Sequence, residues 1–204
     1  MYNPKHFATQ DLALALQLVA ENPLGLLIGP DANGASFVTH VPLTAFREGG
    51  GFYLEGHMAR ANPHWAWLSA QTSMLAVFSA PGAYVSPSFY DSEQNVPTWN
   101  YAAVHAYGDI QLIDDPEGKD ALLKRLIGTH EPGYAEQWKG LSPDYQQKML
   151  AAIVGFRIRV TRWEAKFKLS QNRAATERTR IKAAFEAGNA NEQVLARWME
   201  QFGL

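Results

Sequence analysis

Val154-Gly155-Phe156-Arg157-Ile158-Arg159-Val160-Thr161-Arg162-Trp163 puts Phe156, Ile158 and Val160 on one side of an extended chain and Arg157, Arg159 and Thr161 on the other. Successive side chains of a strand point to opposite faces, so the run reads as a half-buried strand, one expected to close a barrel. Working outward, residues 24–28, 35–41, 52–55, 74–79 and 101–113 also read as strands, separated by Gly, Pro, Asp and Asn turns. Five or more short strands in succession predict a small barrel within an α+β, mainly β, fold.

Helical spacing appears around these strands. Thr9 is placed as an N-cap ahead of Leu12, Leu16 and Val19, and Asn22-Pro23 stops the run. Asp115-Pro116-Glu117 opens a helix to about Thr129, with acids at its positive end and Lys124, Arg125 and His130 toward the other. Another begins near Ser142-Pro143, and residues 175–187 and 192–202 form two terminal helices joined through Gly188-Asn189.

A chain of 204 residues can bury one substantial core. It contains no cysteine, which removes disulfides, thiolate metal sites and cysteine nucleophiles together. The net charge of −2 gives no global pull toward nucleic acid or anionic lipid. Residues 12–20 follow Asp11 and contain Gln17, so they read as a core helix rather than a secretory signal, and no run reaches the length of a membrane-spanning helix. A soluble protein suited to a reducing cytoplasm is expected.

Three segments could carry chemistry. Residues 83–108 mix aromatics with small polar groups, and strand alternation would turn Phe89, Trp99 and Tyr101 inward while Ser86, Ser88, Thr98 and Asn100 face a groove. Such a groove suits a flat, polar-edged ring. In Gly56-His57-Met58-Ala59-Arg60-Ala61-Asn62-Pro63, Arg60 offers a rigid fork to phosphate oxygens, with single hydrogen bonds from His57 and Asn62. The alternative is a solvated turn arginine and an asparagine helix cap. In Lys166-Phe167-Lys168-Leu169-Ser170-Gln171-Asn172-Arg173 a row of polar side chains could clamp a ring edge or a partner subunit, or simply end a strand with Asn172 as a cap.

Basic residues gather between Arg157 and Lys182, opposed there only by Glu164 and Glu177. A nucleic-acid footprint, an internal phosphate site and a solvated face all account for them. Other classes lack their signatures. The histidines have no metal-ligand spacing, no Gly-x-Ser-x-Gly elbow occurs, and neither Gly-x-Gly-x-x-Gly nor a P-loop is present. Gly49-Gly50-Gly51 precedes a strand and reads as a flexible turn.

Together with the opening Met1-Tyr-Asn-Pro-Lys-His-Phe7 and Val96-Pro-Thr-Trp-Asn-Tyr101, these segments resemble the PaiB family of FMN-binding negative transcriptional regulators, in family order from residue 1 to about 173. The resemblance implies an FMN-binding split β-barrel over residues 1–173, with peripheral helices, and a helical extension over 174–204. It also implies a homodimer with flavin at the subunit interface. On that reading His57, Arg60 and Asn62 hold the FMN phosphate, Thr98, Trp99 and Asn100 border the flavin, and Lys168, Ser170 and Gln171 reach the site from the partner chain. Phe89-Tyr90 departs from the tryptophan expected there in many relatives. The family name implies regulation through DNA or a protein partner, whereas the fold equally suits an FMN-dependent oxidoreductase or flavin reductase. A barrel that has kept its shape and lost its ligand is the third alternative.

Overall fold

The computed structural model describes residues 1–69 and 73–204. In chain order its elements are β1 (Ala8–Thr9), α1 (Leu12–Glu21), β2 (Leu24–Pro30), β3 (Ser36–Pro42), β4 (Thr44–Glu48), β5 (Gly51–Ala59), α2 (His64–Leu68), β6 (Met74–Ser79) and β7 (Ala83–Val85). A short 3₁₀ turn (Pro87–Phe89) leads to β8 (Thr98–Ile113), α3 (Pro116–His130), α4 (Tyr134–Gly140), α5 (Pro143–Ala151), β9 (Ile153–Lys168), α6 (Ala175–Glu186) and α7 (Ala190–Gln201). The main hydrogen-bonded path runs β3-β2-β6-β8-β9-β5-β4, with β1 on β9 and β7 on β8. Every pairing with a defined register is antiparallel.

The 154–163 strand was expected to close the barrel. Instead β9 lies inside the path between β8 and β5, and the path ends at β3 and β4 without joining them. Sixteen residues give β9 enough length to serve more than one neighbour: Ile153 to Val160 pair with β5, and Ala165 and Lys166 pair with β1. Among the described residues the mainly antiparallel sheet does not close, and with its seven α-helices it is a split barrel.

The chain divides into two compact units, one of residues Met1–Asn22, Phe78–His105 and Glu164–Leu204, the other of Pro23–Val77 and Ala106–Trp163. In the second unit β2 and β3 form a hairpin whose turn is held by Asp31 Oδ1, which accepts from the N–H groups of Asn33 at 2.8 Å and Ala35 at 2.9 Å. β4 was missed in the sequence because its five residues include only one large apolar side chain, Phe46. The Gly49-Gly50 turn, at φ 54° and 78°, returns the chain into β5. Phe156 and Ile158 point into the core with Leu54, Leu27 and Leu43, as their alternation required. Gly108 is obligatory at its crossing, because a Cβ there would lie 2.1 Å from the carbonyl oxygen of Arg159.

In the first unit α1 is capped by Asp11, whose carboxylate accepts from Ala13 N–H at 2.8 Å. Thr9 was expected in that role. It lies in β1, and its hydroxyl accepts from Asp11 N–H at 3.1 Å, one step before the helix. The two terminal helices bury Ile181, Phe185, Leu195, Trp198 and Met199. Phe167 of β9 meets the Trp198 ring at 4.9 Å and the Phe202 ring at 5.0 Å. Burying a large apolar side chain contributes about 1.5–3 kcal/mol, so this contact is a substantial part of the unit's core.

Candidate functional site

The pleat of β8 sets the first part of the site. Ala102, Val104 and Ala106 are fully buried, which fixes even-numbered positions inward and carries Asn100 into the interior at 0 % exposure. Trp99, on the opposite phase, is 56 % exposed. The sequence reading turned Trp99 inward, which the structure reverses, and had Thr98 and Asn100 face a groove, where both line one cavity. The small residues Ala102, Val104 and Ala106, rather than the large aromatics, decide which face packs. Trp99 instead sits across from Tyr84 in the β7–β8 register, the rings 6.0 Å apart and edge to face. Ser86 and Ser88 do not lie on a strand. Ser86 caps the 3₁₀ turn and Ser88 lies within it, with Ser86 Oγ accepting from Ser88 N–H at 3.2 Å.

The end of β9 supplies the second part. Lys168 Nζ donates to the hydroxyl of Thr98 and, at 2.7 Å, to the carbonyl of Trp99. Ser170 Oγ donates to Asn100 Oδ1 at 3.1 Å. These contacts join the end of β9 to the start of β8 within one chain. Ser170 is the only non-glycine at positive φ among the described residues, at 65°, and this left-handed turn brings its hydroxyl onto Asn100. Gln171 is used locally: its amide donates to Phe167 O, and its oxygen accepts from Leu169 N–H at 2.7 Å. Thr98, Asn100, Lys168, Ser170 and Arg173 line a cavity of about 150 Å³, together with Val96, Pro97 and Asn172.

Its electrostatics are one-signed. Burial pushes the Lys168 ammonium below the ordinary lysine range, and the neighbouring charges of Lys166 and Arg173 push the same way. Arg173 stacks over Tyr90 at 3.7 Å and donates to Asn95 at 2.7 Å. Lys166 is buried, with Nζ 3.2 Å from Tyr2 O and near the rings of Tyr2 and Tyr101. Sequence reading did not single out Asn95, whereas Arg173 closes the polar run read there as a possible clamp.

His57, Arg60 and Asn62 belong to the second unit and take separate partners there. Arg60 makes a bidentate ion pair with Asp114 and also donates to Ala151 O at 2.9 Å and Ile153 O at 3.2 Å. The Arg60 hydrogen bond holds the Asp114 carboxyl below its ordinary range, and Lys119 at 3.1 Å adds to it. Asn62 caps the start of α2 by accepting from His64 N–H at 3.0 Å, and its amide donates to Thr39 Oγ1 at 3.1 Å. Thr39 in turn meets His64 Nδ1 at 2.8 Å. His57 faces a mainly apolar cavity of about 350 Å³ lined by Ile127, Tyr134, Trp138, Tyr145 and Met149 among others, and burial pushes its imidazole toward the neutral form. Asp114 was not recognised in the sequence because the adjacent Asp115 is the helix cap, accepting from Gly118 N–H at 2.7 Å.

The basic run seen in the sequence is largely committed. Arg157 pairs with Glu48 and with buried Glu55, which Arg125 also reaches at 2.7 Å. Arg180 pairs with Asp91, Arg178 donates to Arg173 O at 2.6 Å, and Arg162 lies 3.5 Å over Tyr107. Among the described residues no group of three or more His, Asp or Glu side chains could hold a metal ion, and no helix is long and apolar enough to cross a membrane.

Unclosed antiparallel strands meeting at the junction of β8 and β9 define a split-barrel protein. The same fold is seen in the flavocytochrome Anf3 from Azotobacter vinelandii, with a TM-score of 0.61 and 23% identity over 79% of this chain and 69% of that one. It recurs in the FAD and heme binding protein from Mycobacterium smegmatis, with a TM-score of 0.59 and 18% identity over 79% and 73%. Residues 1–162 match the family described as "Putative FMN-binding domain". The Bacillus subtilis (strain 168) protein named protease synthase and sporulation protein PAI 2 is 35% identical, over 98% of this chain and 97% of its own length. The chain belongs to this FMN-binding family, the PaiB family, and FMN is the cofactor that family and fold support.

Proposed function

We propose that this protein is a dimeric, FMN-binding regulator of the PaiB type, with flavin at the subunit interface. The observation that carries the reading is the continuity of the likeness to PAI 2, 98% of this chain, which takes in the terminal helices as well as the barrel strands. Those helices are built into the first unit through Phe167, Trp198 and Phe202, so regulator and barrel would act as one folded object.

The residues suit the cofactor unequally. Lys168 and Asn100 present donors at one cavity, Ser170 holds Asn100 in place, and exposed Trp99 offers a flat wall beside them for an isoalloxazine. His57, Arg60 and Asn62 would hold the phosphate. Arg60 can do so with a free fork only by giving up Asp114. Bound FMN would supply redox chemistry, with the protein's donors setting its electronics. Regulation would follow if flavin binding favoured one dimer geometry over another. Arg178 and Arg180 in the first unit are engaged by neighbouring groups, as Arg157 is in the second, so these arginines suit a protein partner better than a long run of DNA phosphates.

An FMN-dependent oxidoreductase is the second reading, favoured by Lys168, a cationic donor held at the cavity by Thr98 and the Trp99 carbonyl. FMN titration followed by absorbance tests both: no uptake would overturn either reading. Electrophoretic mobility against salt concentration, with and without FMN, then separates them. A flavin-dependent shift whose affinity falls steeply with salt supports DNA-borne regulation, and a flat response leaves a protein partner or the oxidoreductase.

A further inference from the structure

Asn100 is fully buried, lines the cavity at the β8–β9 junction, and its amide nitrogen has no hydrogen-bond partner. Buried donors are nearly always paired, so an orphan facing a cavity asks for an acceptor that enters from outside. The Ser170 hydroxyl holds Asn100 Oδ1, and Ser170 adopts the left-handed conformation that puts it there. Lys168 spends two of its three protons on Thr98 and Trp99. Arg173 completes a lining with no carboxylate in it.

A set of donors without a matching acceptor, two of them cationic, selects an acceptor-only group that bears negative charge. A cavity of about 150 Å³ has room for one small charged group, and exposed Trp99 adjoins it through the carbonyl that Lys168 holds. We infer that this cavity is an oxyanion site, which holds a carboxylate or phosphate group against Asn100, Lys168 and Arg173. The inference deepens the flavin reading by naming the chemistry of the cavity, and it can be tested without flavin. The oxyanion has two sources: the phosphate of the cofactor itself or a separate small carboxylate or phosphate ligand.

The test uses full-length protein stripped of flavin, with the Asn100 side-chain amide followed by nitrogen-edited NMR. Inorganic phosphate and acetate are titrated at constant ionic strength against chloride. A saturable shift of the Asn100 amide is expected with at least one of the two, weakened tenfold or more in Lys168→Met and in Arg173→Gln, and unchanged in Lys124→Met. Two variants keep the result readable if one fails to fold. Competition by FMN but not riboflavin identifies the cofactor phosphate as the source, and competition by neither identifies a separate ligand. No saturable shift in the wild-type protein, or equal affinity in both site variants, overturns the inference. FMN uptake alongside that negative result would leave the flavin reading standing, and oxyanion binding without FMN uptake would do the reverse.

Discussion

Ser170 Oγ donates to Asn100 Oδ1 at 3.1 Å, tying a residue just beyond the end of β9 to one near the start of β8. The bond is made from a backbone at φ 65°, a region that costs a non-glycine residue roughly 1–2 kcal/mol. Ser170→Ala keeps that strain and leaves Asn100 Oδ1 unpaired, so it should destabilise the protein by about 1–3 kcal/mol. Ser170→Gly loses the same bond but relieves the strain, and its loss should be smaller by about 1 kcal/mol. Urea unfolding of the two variants checks the order. If Ala proves the milder change, the strain is absent.

Arg60 serves Asp114 in this structure, whereas holding phosphate would call it elsewhere. If it binds FMN, removing its competitor should help and removing the arginine should hurt. Asp114→Asn is therefore expected to tighten FMN, and Arg60→Ala to weaken it, measured by fluorescence titration. The stability effect has its own pH signature. Because Arg60 and Lys119 depress the folded Asp114 value below 3.8, the pair stabilises the protein above that pH, and the contribution is lost as pH falls through the folded value. The difference in melting temperature between wild type and Arg60→Ala should accordingly shrink in acid.

Most of the longer strands were legible because apolar alternations such as Phe156-x-Ile158 have one way to pack, whereas their order in the sheet was not. Nor were the short elements. β4 and α4 are 5 and 7 residues long, too brief for a period to stand out, and their places depend on partners distant in sequence. The site was legible as composition and misread in phase. Large aromatics were assumed to fill the interior, yet Ala102, Val104 and Ala106 take it and carry Asn100 with them. Which side chains share a cavity is a tertiary fact. Lys168 and Thr98 are 70 residues apart, and nothing local to either announces the other.

His64 tests how far a buried imidazole limits the protein in mild acid. It is fully buried, Nδ1 meets Thr39 at 2.8 Å, Nε2 has no partner, and burial lowers its folded value below 6.5. The unfolded chain then binds the proton more readily, so stability rises with pH in this window and is lost progressively as pH falls below about 6.5. His57 and His105 are shifted in the same direction. Melting temperature against pH should decline from 7 toward 5, and His64→Gln should flatten the decline. An unchanged slope would mean that His64 does not titrate between the two states.

The terminal helices decide whether residue 173 is a domain boundary. A chain ending there would leave Phe167 and Leu169, both fully buried in the whole protein, facing solvent, and would remove Glu177, whose carboxylate accepts from Asp91 N–H at 3.0 Å and Ala174 N–H at 3.3 Å. Exposed apolar surface of this kind favours association over folding. The 1–173 fragment is expected to aggregate or to lose cooperative thermal unfolding, and Trp198→Ala in the whole chain to cost about 3–5 kcal/mol, the usual loss for a buried aromatic. The two measurements guard each other, since a fragment can fail for reasons of solubility alone while a point variant reports on packing. A soluble, cooperatively folded 1–173 fragment that still takes up FMN would establish residues 174–204 as a separable extension and move the helices out of the core of this unit.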